Sequence, residues 1–287
     1  MSPNSYPLVY IITRNHNGFE LTSECIESLL KMKYPNFKIL VVDDGSSDDS
    51  CYRLSSKYPM VEFMKLDRYY EYCKALNYGM ISAIDNKADY VFLVNNDTKD
   101  FSDNYLDEMI KCFTEDEKIG IAGSKVFDYT GRCIHDCKSK YPLRIVMMNI
   151  PTEGYVIKVD VILKIGKLDE RLVRYFEDVD FLARLNKAGF ISRCVSSVSF
   201  KHLCGGTSKK QPFIQNYYRV RNIIWMIREY HKDKSFLQRF KLFSYPMKVH
   251  IVRIYMLFMK LQFEKGFKVT YAVTLGLLHG WLKRWKK

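Results

Sequence analysis

Residues 8–18, LVYIITRNHNG, and residues 37–47, FKILVVDDGSS, each place a short apolar run directly before a polar loop. Residues 90–98, YVFLVNNDT, repeat the same arrangement. Apolar runs of this length predict buried strands. Apolar residues at helical spacing over 19–33 and 71–84 separate the runs, so the β-α-β-α order predicts an α/β fold with a doubly wound, mostly parallel sheet.

Three polar loops, at residues 13–18, 43–47 and 95–98, each follow one of these predicted strands. In a doubly wound sheet, ligands bind beyond the carboxyl ends of the strands, where the chain direction switches. We therefore expect the three loops to gather at one edge of the sheet and to form the functional site.

The sequence pattern changes near residue 210, where short strands give way to long amphipathic helices. The predicted helices cover residues 216–231, 236–265 and 269–285. We therefore expect a catalytic domain over residues 1–210 and a C-terminal helical extension over residues 211–287.

The net charge is +13, and it is unevenly distributed along the chain. Residues 201–287 carry 19 Lys and Arg against 3 Asp and Glu, whereas the preceding residues carry 26 against 29. Such asymmetry predicts that the C-terminal region faces an anionic partner, either a membrane surface or nucleic acid.

The C-terminal helices are expected to lie on an anionic membrane surface rather than to cross the membrane. A spanning helix needs about 20 apolar residues, and the apolar stretches over 249–263 and 269–282 are shorter. Trp225, Trp281 and Trp285, together with nearby basic residues, suit interfacial helices. The alternative is that the helices pack on the catalytic domain or form a homodimer.

The sequence also predicts a cytoplasmic protein. The N-terminal apolar run, Leu8 to Ile12, follows no basic leader and is too short for a signal peptide. The eight cysteines include no C-x-x-C pair, so we expect them to remain thiols in a reducing compartment.

The loop at Asn95, Asn96 and Asp97 offers oxygen ligands directly after a predicted buried strand. A carboxylate there can bind Mg²⁺ or Mn²⁺, which in turn binds a diphosphate. Asp43 and Asp44 can accept hydrogen bonds from a nucleobase N–H or from ribose hydroxyls. Both segments also suit ordinary turns, which is the alternative interpretation.

Three acids, Glu177, Asp178 and Asp180, stand at the start of a predicted helix. One interpretation is helix capping, because negative charge there interacts favourably with the helix dipole. The other is a general base that takes the proton from an acceptor hydroxyl as it attacks the anomeric carbon. His202 ends a predicted strand and is either a structural histidine or a nitrogen ligand to the ion.

Taken in order over residues 7–206, these segments resemble the family-2 glycosyltransferases. The segments that carry the resemblance are Ile11-Ile12-Thr13-Arg14-Asn15, Cys25-Ile26-Glu27-Ser28-Leu29-Leu30, Val41-Val42-Asp43-Asp44-Gly45-Ser46, Asn95-Asn96-Asp97, Phe176-Glu177-Asp178-Val179-Asp180 and His202. The resemblance implies a GT-A fold and the transfer of a sugar from a nucleotide-diphosphate donor to an acceptor, with inversion.

The resemblance also implies residue roles. Asp178 is expected to be the catalytic base, with Glu177 beside it, and His202 is expected to lie near the diphosphate. The predicted nucleotide-binding residues are Thr13, Arg14, Asn15, Asp43, Asp44, Asn77 and Asn96. The predicted ligands of Mn²⁺ or Mg²⁺ are Asp97, as the last residue of the D-x-D motif, Asn95 and His202.

The chain departs from the family pattern at three places. Arg14 replaces the usual Tyr, Asn95 replaces the first acid of the D-x-D motif, and Tyr69-Tyr70-Glu71 stands where many members have N-x-G. The N-N-D variant is similar to that of bacterial rhamnosyltransferase-like members. It favours dTDP-rhamnose or a UDP-sugar as donor, with a saccharide or lipid-linked acceptor in surface polysaccharide synthesis.

Other functional classes fit the sequence less well. A dinucleotide-dependent dehydrogenase is expected to carry G-x-G-x-x-G after its first strand, and residues 13–18 contain one glycine. A nucleotidylyltransferase is expected to have a Gly-rich loop at the same place. The remaining alternative is a non-catalytic basic protein that binds a membrane or nucleic acid, whereas the glycosyltransferase interpretation requires no nucleic acid.

Overall fold

The computed structural model describes residues 6–137, 141–143, 146–148, 150–203, 212–233, 235, 238–239, 242, 244, 248, 251–252, 254–255 and 262–282. The chain divides into two compact units. The sheet unit comprises Met1–Tyr141, Met148–Leu168 and Phe181–Cys204. The helical unit comprises Pro142–Met147, Asp169–Asp180 and Gly205–Lys287. The prediction of a boundary near residue 210 did not anticipate that segment 169–180 belongs with the C-terminal region.

The strands are β1 (Val9–Asn15), β2 (Phe37–Asp43), β3 (Glu62–Lys65), β4 (Tyr90–Val94), β5 (Thr98–Lys99), β6 (Ile119–Asp128), β7 (Cys133–His135), β8 (Tyr141–Leu143), β9 (Val146–Met148), β10 (Gly154–Lys158) and β11 (Ile191–His202). The helices before residue 204 are α1 (Phe19–Leu29), α2 (Ser50–Lys57), α3 (Tyr72–Asp85), α4 (Tyr105–Glu115), α5 (Val159–Ile165) and α6 (Glu177–Lys187). The two described helices beyond it are α7 (Pro212–Tyr230) and α8 (Phe263–Leu282).

The main sheet has the strand order β3-β2-β1-β4-β10-β6-β11-β5, with β7 paired to β6. The strands β1, β2, β3 and β4 are parallel, and β10 runs antiparallel to both β4 and β6. The short strands β8 and β9 pair with each other. The structure therefore confirms the predicted α/β fold with a mostly parallel sheet.

Strand β1 is longer than predicted, because residues 13–15 were expected to belong to a loop. In the structure Thr13 pairs with Val41 and Asn15 pairs with Asp43 in parallel register with β2. The polar residues Thr13 and Asn15 are fully buried there. The apolar run stops at Ile12, which ends the predicted strand early, although the backbone pairing continues through residues 13–15.

Two of the predicted thiols form a disulfide, so the expectation that all cysteines remain reduced is wrong for Cys137 and Cys194. Their Cα atoms are 5.4 Å apart, within the usual bridging distance. Cys194 lies on β11 and Cys137 follows β7, and both strands pair with β6. The sheet thus brings together two cysteines that are 57 residues apart in sequence.

In the helical unit, α7 packs against α8 through a small apolar core. Val220, Ile224 and Ile227 of α7 are buried together with Val269 and Val273 of α8. No helix in the described part of the chain is long and apolar enough to cross a membrane.

Two glycines of α8 allow its close approach to α7. A Cβ on Gly276 would lie 2.8 Å from the carbonyl oxygen of Tyr217 and 3.0 Å from the Cβ of Val220. A Cβ on Gly280 would lie 2.8 Å from the Cβ of Ile224. At the same end, the Arg228 guanidinium donates to the carbonyl oxygens of Gly280 and Trp281 at 2.7 and 2.9 Å.

We predict that Gly276→Val destabilises the helical unit, because the added atoms overlap the backbone of α7. Overpacking of this kind costs about 1–3 kcal/mol, so the melting temperature is expected to fall by several degrees. The matched control is Thr274→Val, which introduces the same side chain at an exposed position of the same helix. Thermal unfolding followed by circular dichroism checks both, and equal melting temperatures would contradict the prediction.

Candidate functional site

The carboxyl ends of β1, β2 and β4 lie side by side in the sheet unit. The register pairs Asn15 of β1 with Asp43 of β2, and Ile12 of β1 with Leu93 of β4. The loops that follow these strands therefore begin at the same edge of the sheet. The predicted gathering of the three polar loops agrees with this register.

A hydrogen-bond network joins the end of β1 to the end of β2 and the loop that follows it. Asn15 Nδ2 donates to Asp43 Oδ1 at 2.7 Å and to Ser50 Oγ at 3.0 Å. Asp43 also accepts hydrogen bonds from the backbone N–H and the hydroxyl of Ser46, at 3.2 and 2.6 Å. Because Asn15 and Asp43 are fully buried, this network fixes the shape of the loop, and their part in nucleotide binding stays a prediction.

Arg14 and Asp44 form an ion pair beside this network. The Nε and Nη2 atoms of Arg14 lie 2.8 and 2.7 Å from Asp44 Oδ2. The backbone N–H of Tyr70 donates to the other carboxylate oxygen at 2.6 Å. The Arg14 guanidinium also lies 5.3 Å from the ring centre of Tyr69. Two of the three departures from the family pattern, Arg14 and the Tyr69-Tyr70 segment, are therefore neighbours in the structure.

Gly45 allows the loop after β2 to pass close to this aromatic segment. Its φ is +60°, a backbone conformation that favours glycine. A Cβ on Gly45 would lie 2.3 Å from the carbonyl carbon of Arg68 and 2.4 Å from the backbone nitrogen of Tyr69. Arg14 and Tyr69 thus bring a cation and an aromatic ring together beside the fully buried Asp44 carboxylate, and these are groups that can bind a nucleoside.

The remaining predicted nucleotide-binding residues differ in burial and in the groups that they bind. Asn96 Nδ2 donates to Thr22 Oγ1, which in turn donates to Asn15 Oδ1, both at 2.9 Å. Thr13 is fully buried in β1. Asn77 donates to the carbonyl oxygen of Leu168 at 2.9 Å and accepts from its N–H at 3.0 Å. Asn77 thus has a structural role, and its part in nucleotide binding stays a prediction.

Asp97 and His202 meet where β11 pairs with β5. The Nε2 atom of His202 lies 3.2 Å from Asp97 Oδ1, and both side chains are nearly buried. The N–H of Leu203 donates to the carbonyl oxygen of Asp97 at 3.0 Å. Burial lowers the pKa of His202, but the hydrogen bond and the charge of Asp97 outweigh it, so the pKa is raised overall.

The donor atoms of this pair fit a divalent cation in part. A carboxylate oxygen and an imidazole nitrogen are both ligands for Mn²⁺, and Mg²⁺ is commonly held by one or two carboxylates plus substrate phosphates. Over the described ranges no group of three or more His, Cys, Asp and Glu side chains is arranged to hold a metal ion. Asn95 Oδ1 accepts a hydrogen bond from the Tyr72 hydroxyl at 2.9 Å, so its role as a ligand stays a prediction.

The acidic cluster belongs to the helical unit, at the start of α6. Asp178 Oδ1 accepts a hydrogen bond from the N–H of Val179 at 2.8 Å, and Asp180 accepts one from the Tyr230 hydroxyl. Glu177 Oε2 is buried and has no hydrogen-bond partner among the described residues. Burial, together with the nearby charge of Asp178, raises the pKa of Glu177.

Sequence reasoning missed several groups that contact the predicted residues. Ser46, Thr22 and Tyr72 bind the side chains of Asp43, Asn96 and Asn95, respectively. A hydroxyl-bearing residue in a loop or helix gives no local signal of such a role. Its partner becomes known only when the strands are placed side by side.

Sequence comparison matches residues 9–145 to the model "Glycosyl transferase family 2". A dTDP-rhamnosyl transferase, RfbF, of Shigella flexneri is 21% identical over 71% of this chain and 75% of its own length. An uncharacterized glycosyltransferase of Rickettsia typhi is 30% identical over 70% of this chain and 64% of its own length. An uncharacterized protein of Sinorhizobium fredii is 24% identical over 64% of this chain, which spans 23% of that protein.

Solved structures show the same fold. TarS of S. aureus in complex with UDP-GlcNAc superposes with a TM-score of 0.65 at 16% identity, over 94% of this chain and 81% of that one. A mannosyltransferase from Pyrobaculum calidifontis, in complex with GDP-Man and Mn²⁺, superposes with a TM-score of 0.60 at 14% identity, over 95% and 75%. The family match over residues 9–145 and the shared GT-A fold together support a family-2 glycosyltransferase.

Proposed function

We propose that this chain is an inverting, metal-dependent hexosyl- or rhamnosyltransferase that uses a UDP-sugar or dTDP-rhamnose. The observation that carries the proposal is the Asp97–His202 pair at 3.2 Å in the sheet unit, which also holds the Arg14–Asp44 pair. One pair suits a metal-bound diphosphate and the other a nucleoside. The acceptor is a saccharide or a lipid-linked saccharide of a surface polysaccharide.

The comparisons support parts of this proposal. RfbF is described as a dTDP-rhamnosyl transferase, and TarS was crystallised with UDP-GlcNAc. The structure of the Pyrobaculum enzyme is a complex with GDP-Man and Mn²⁺. When bound, Mn²⁺ or Mg²⁺ would supply positive charge to the leaving diphosphate. In this chain Asp97 and His202 would hold the ion, and Arg14 and Asp44 would orient the nucleoside.

We predict that a nucleoside diphosphate with Mn²⁺ raises the melting temperature by several degrees, because a ligand selective for the folded state stabilises it. UDP, dTDP and GDP are compared, each with Mn²⁺ or with excess chelator. Asp97→Asn is expected to remove the metal-dependent part of the shift. The matched control is Asp103→Asn, an exposed carboxylate that pairs with Lys33 and should leave the shift unchanged.

The same measurement has an expected pH dependence. The raised pKa of His202 means that the ring holds its proton to a higher pH than usual, and a metal must displace that proton. The metal-dependent shift should therefore grow as the pH rises through this pKa. If the rise in melting temperature is equally large in excess chelator, the proposed metal dependence is refuted. If none of the nucleoside diphosphates raises the melting temperature, donor binding is refuted.

We assign acceptor deprotonation to Asp178 and predict that Asp178→Asn lowers kcat by roughly 10²–10⁴-fold, as loss of a general base does. Donor binding, measured by the thermal shift, should remain. Glu177→Gln is the matched comparison, because its buried carboxylate has a raised pKa and is the weaker candidate for a permanently ionised group. A larger loss of kcat in Glu177→Gln than in Asp178→Asn would move the base to Glu177.

We further propose that the protein works in the cytoplasm, peripheral on the inner face of the membrane; because Cys137 and Cys194 form a disulfide, the proposal rests on the C-terminal helices and no longer on reduced cysteines. Of the tryptophans expected at this interface, Trp225 is buried and Trp285 lies outside the described residues. Tyr271, Leu278 and Trp281 of α8 are 61%, 47% and 42% exposed, and they recur along one side of the helix. Residues 201–287 carry 19 Lys and Arg against 3 Asp and Glu. Exposed rings beside excess basic charge suit an interface with anionic headgroups.

We predict that the full chain sediments with anionic vesicles at low salt and much less with neutral vesicles or at high salt. Replacing Tyr271, Leu278 and Trp281 by Ser should weaken this binding at least several-fold. The matched control replaces exposed apolar residues of the sheet unit, Tyr52 and Met60, by Ser. Wild-type protein that ignores anionic vesicles would refute the membrane claim, and analytical ultracentrifugation then tests the homodimer.

A further inference from the structure

The segment that leads into the acidic cluster has an unusual backbone. Val173, Tyr175 and Phe176 have φ values of +68°, +65° and +71°, in the left-handed region that favours glycine. Val173 is β-branched, which makes this conformation especially unfavourable. Strained residues of this kind persist only where the surroundings hold them in place. Glu177 and Asp178 follow directly.

The surroundings that hold this segment are two buried polar residues of α7, Arg221 and Asn222. The Arg221 guanidinium donates to the carbonyl oxygens of Arg171 and Leu172, at 2.9 and 2.8 Å. Its Nε also donates to the side-chain oxygen of Asn222 at 2.7 Å. That contact orients the Asn222 amide so that its Nδ2 faces the segment.

Asn222 then binds the carbonyl groups within the strained segment itself. Its Nδ2 lies 2.9 Å from the carbonyl oxygens of both Leu172 and Arg174, and 2.7 Å from that of Tyr175. The Leu172 carbonyl also accepts a hydrogen bond from the N–H of Arg174 at 2.8 Å, but a segment with left-handed residues cannot place its carbonyl groups in the hydrogen-bond ladder of a regular helix. Buried carbonyl groups without partners are costly, so the two side chains of α7 make this conformation tolerable.

A second contact from α7 holds the other side of the acidic cluster. The hydroxyl of Tyr230 donates to Asp180 Oδ1. The N–H of Asp180 donates to the carbonyl oxygen of Phe176 at 2.9 Å, which closes the first turn of α6. Glu177 and Asp178 thus lie between two points that are both fixed by α7.

We infer that Arg221 and Asn222 are positioning residues that hold segment 171–176 and thereby set the position of the Asp178 carboxylate. The inference rests on the proposed role of Asp178 as base. It also gives the C-terminal helices a role in the reaction that is independent of any membrane. A misplacement of about 1 Å in a reacting group can lower the rate about 10²-fold, so the effect is expected in kcat.

The test uses the full chain with Asn222→Asp, which keeps the shape of the side chain but replaces its N–H donors by acceptors. We expect kcat to fall about 10²-fold, with the thermal shift by nucleoside diphosphate and Mn²⁺ unchanged. The matched control is Ile224→Ala, which removes buried atoms of α7 at its contact with α8. It should lower the melting temperature with kcat within about threefold of wild type.

A double-mutant cycle separates positioning from a merely structural role. If Asn222 acts through Asp178, Asn222→Asp should cost little further activity in the Asp178→Asn background. Full multiplication of the two losses overturns the inference. If Asn222→Asp does not fold, the same double-mutant cycle is measured at low temperature with Arg221→Lys. This variant keeps the positive charge but loses the planar guanidinium, which donates from two nitrogen atoms.

The outcomes also separate this inference from the proposed function. Near wild-type activity of Asp178→Asn alone would overturn the assignment of the base, and the inference with it. A large loss in Asp178→Asn together with near wild-type kcat in both Asn222→Asp and Arg221→Lys would overturn only the inference. If Ile224→Ala lowers kcat as much as Asn222→Asp does, the effect of Asn222→Asp is general destabilisation, and the inference is overturned.

Discussion

The parallel pairing of β1 with β2 on one side and β4 on the other is the constraint on which the candidate site depends. Parallel strands end at the same edge of the sheet, so the direction of the strands alone brings the polar residues after each strand together there. The register places Asn15 opposite Asp43, which lets a single amide join two loops. Had β1 slipped by one residue, Asn15 would no longer lie opposite Asp43, and this contact would be lost.

Much of this arrangement could be predicted from the sequence, because it depends on local patterns. The apolar runs predicted the strands, including β4 at Tyr90–Val94. The order of the motifs indicated the family. The extension of β1 to Asn15 could not be predicted in this way. It requires partners on a neighbouring strand, and single-chain periodicity carries no information about partners.

The same reason explains what was missed at the site. The partner of Asn77 is Leu168, and that of Asn95 is Tyr72. These choices depend on the packing of distant segments. Arg221 and Asn222 fall within the amphipathic helix predicted over 216–231, and both are buried. Polar residues in a helical pattern predict exposure, and only the tertiary structure distinguishes solvation from a buried contact with backbone carbonyl groups.

The position of His202 at the end of β11 bears on the order in which the sheet unit assembles. The Asn15–Asp43 contact joins residues 28 positions apart, so it can form as soon as the first two strands exist. The Asp97–His202 contact requires β6, β10 and β11 to be in place. Contacts between distant parts of a chain form slowly, because a long loop must close first. During synthesis from the N-terminus, the Asn15–Asp43 side of the candidate site is therefore built early, and the Asp97–His202 side is completed later.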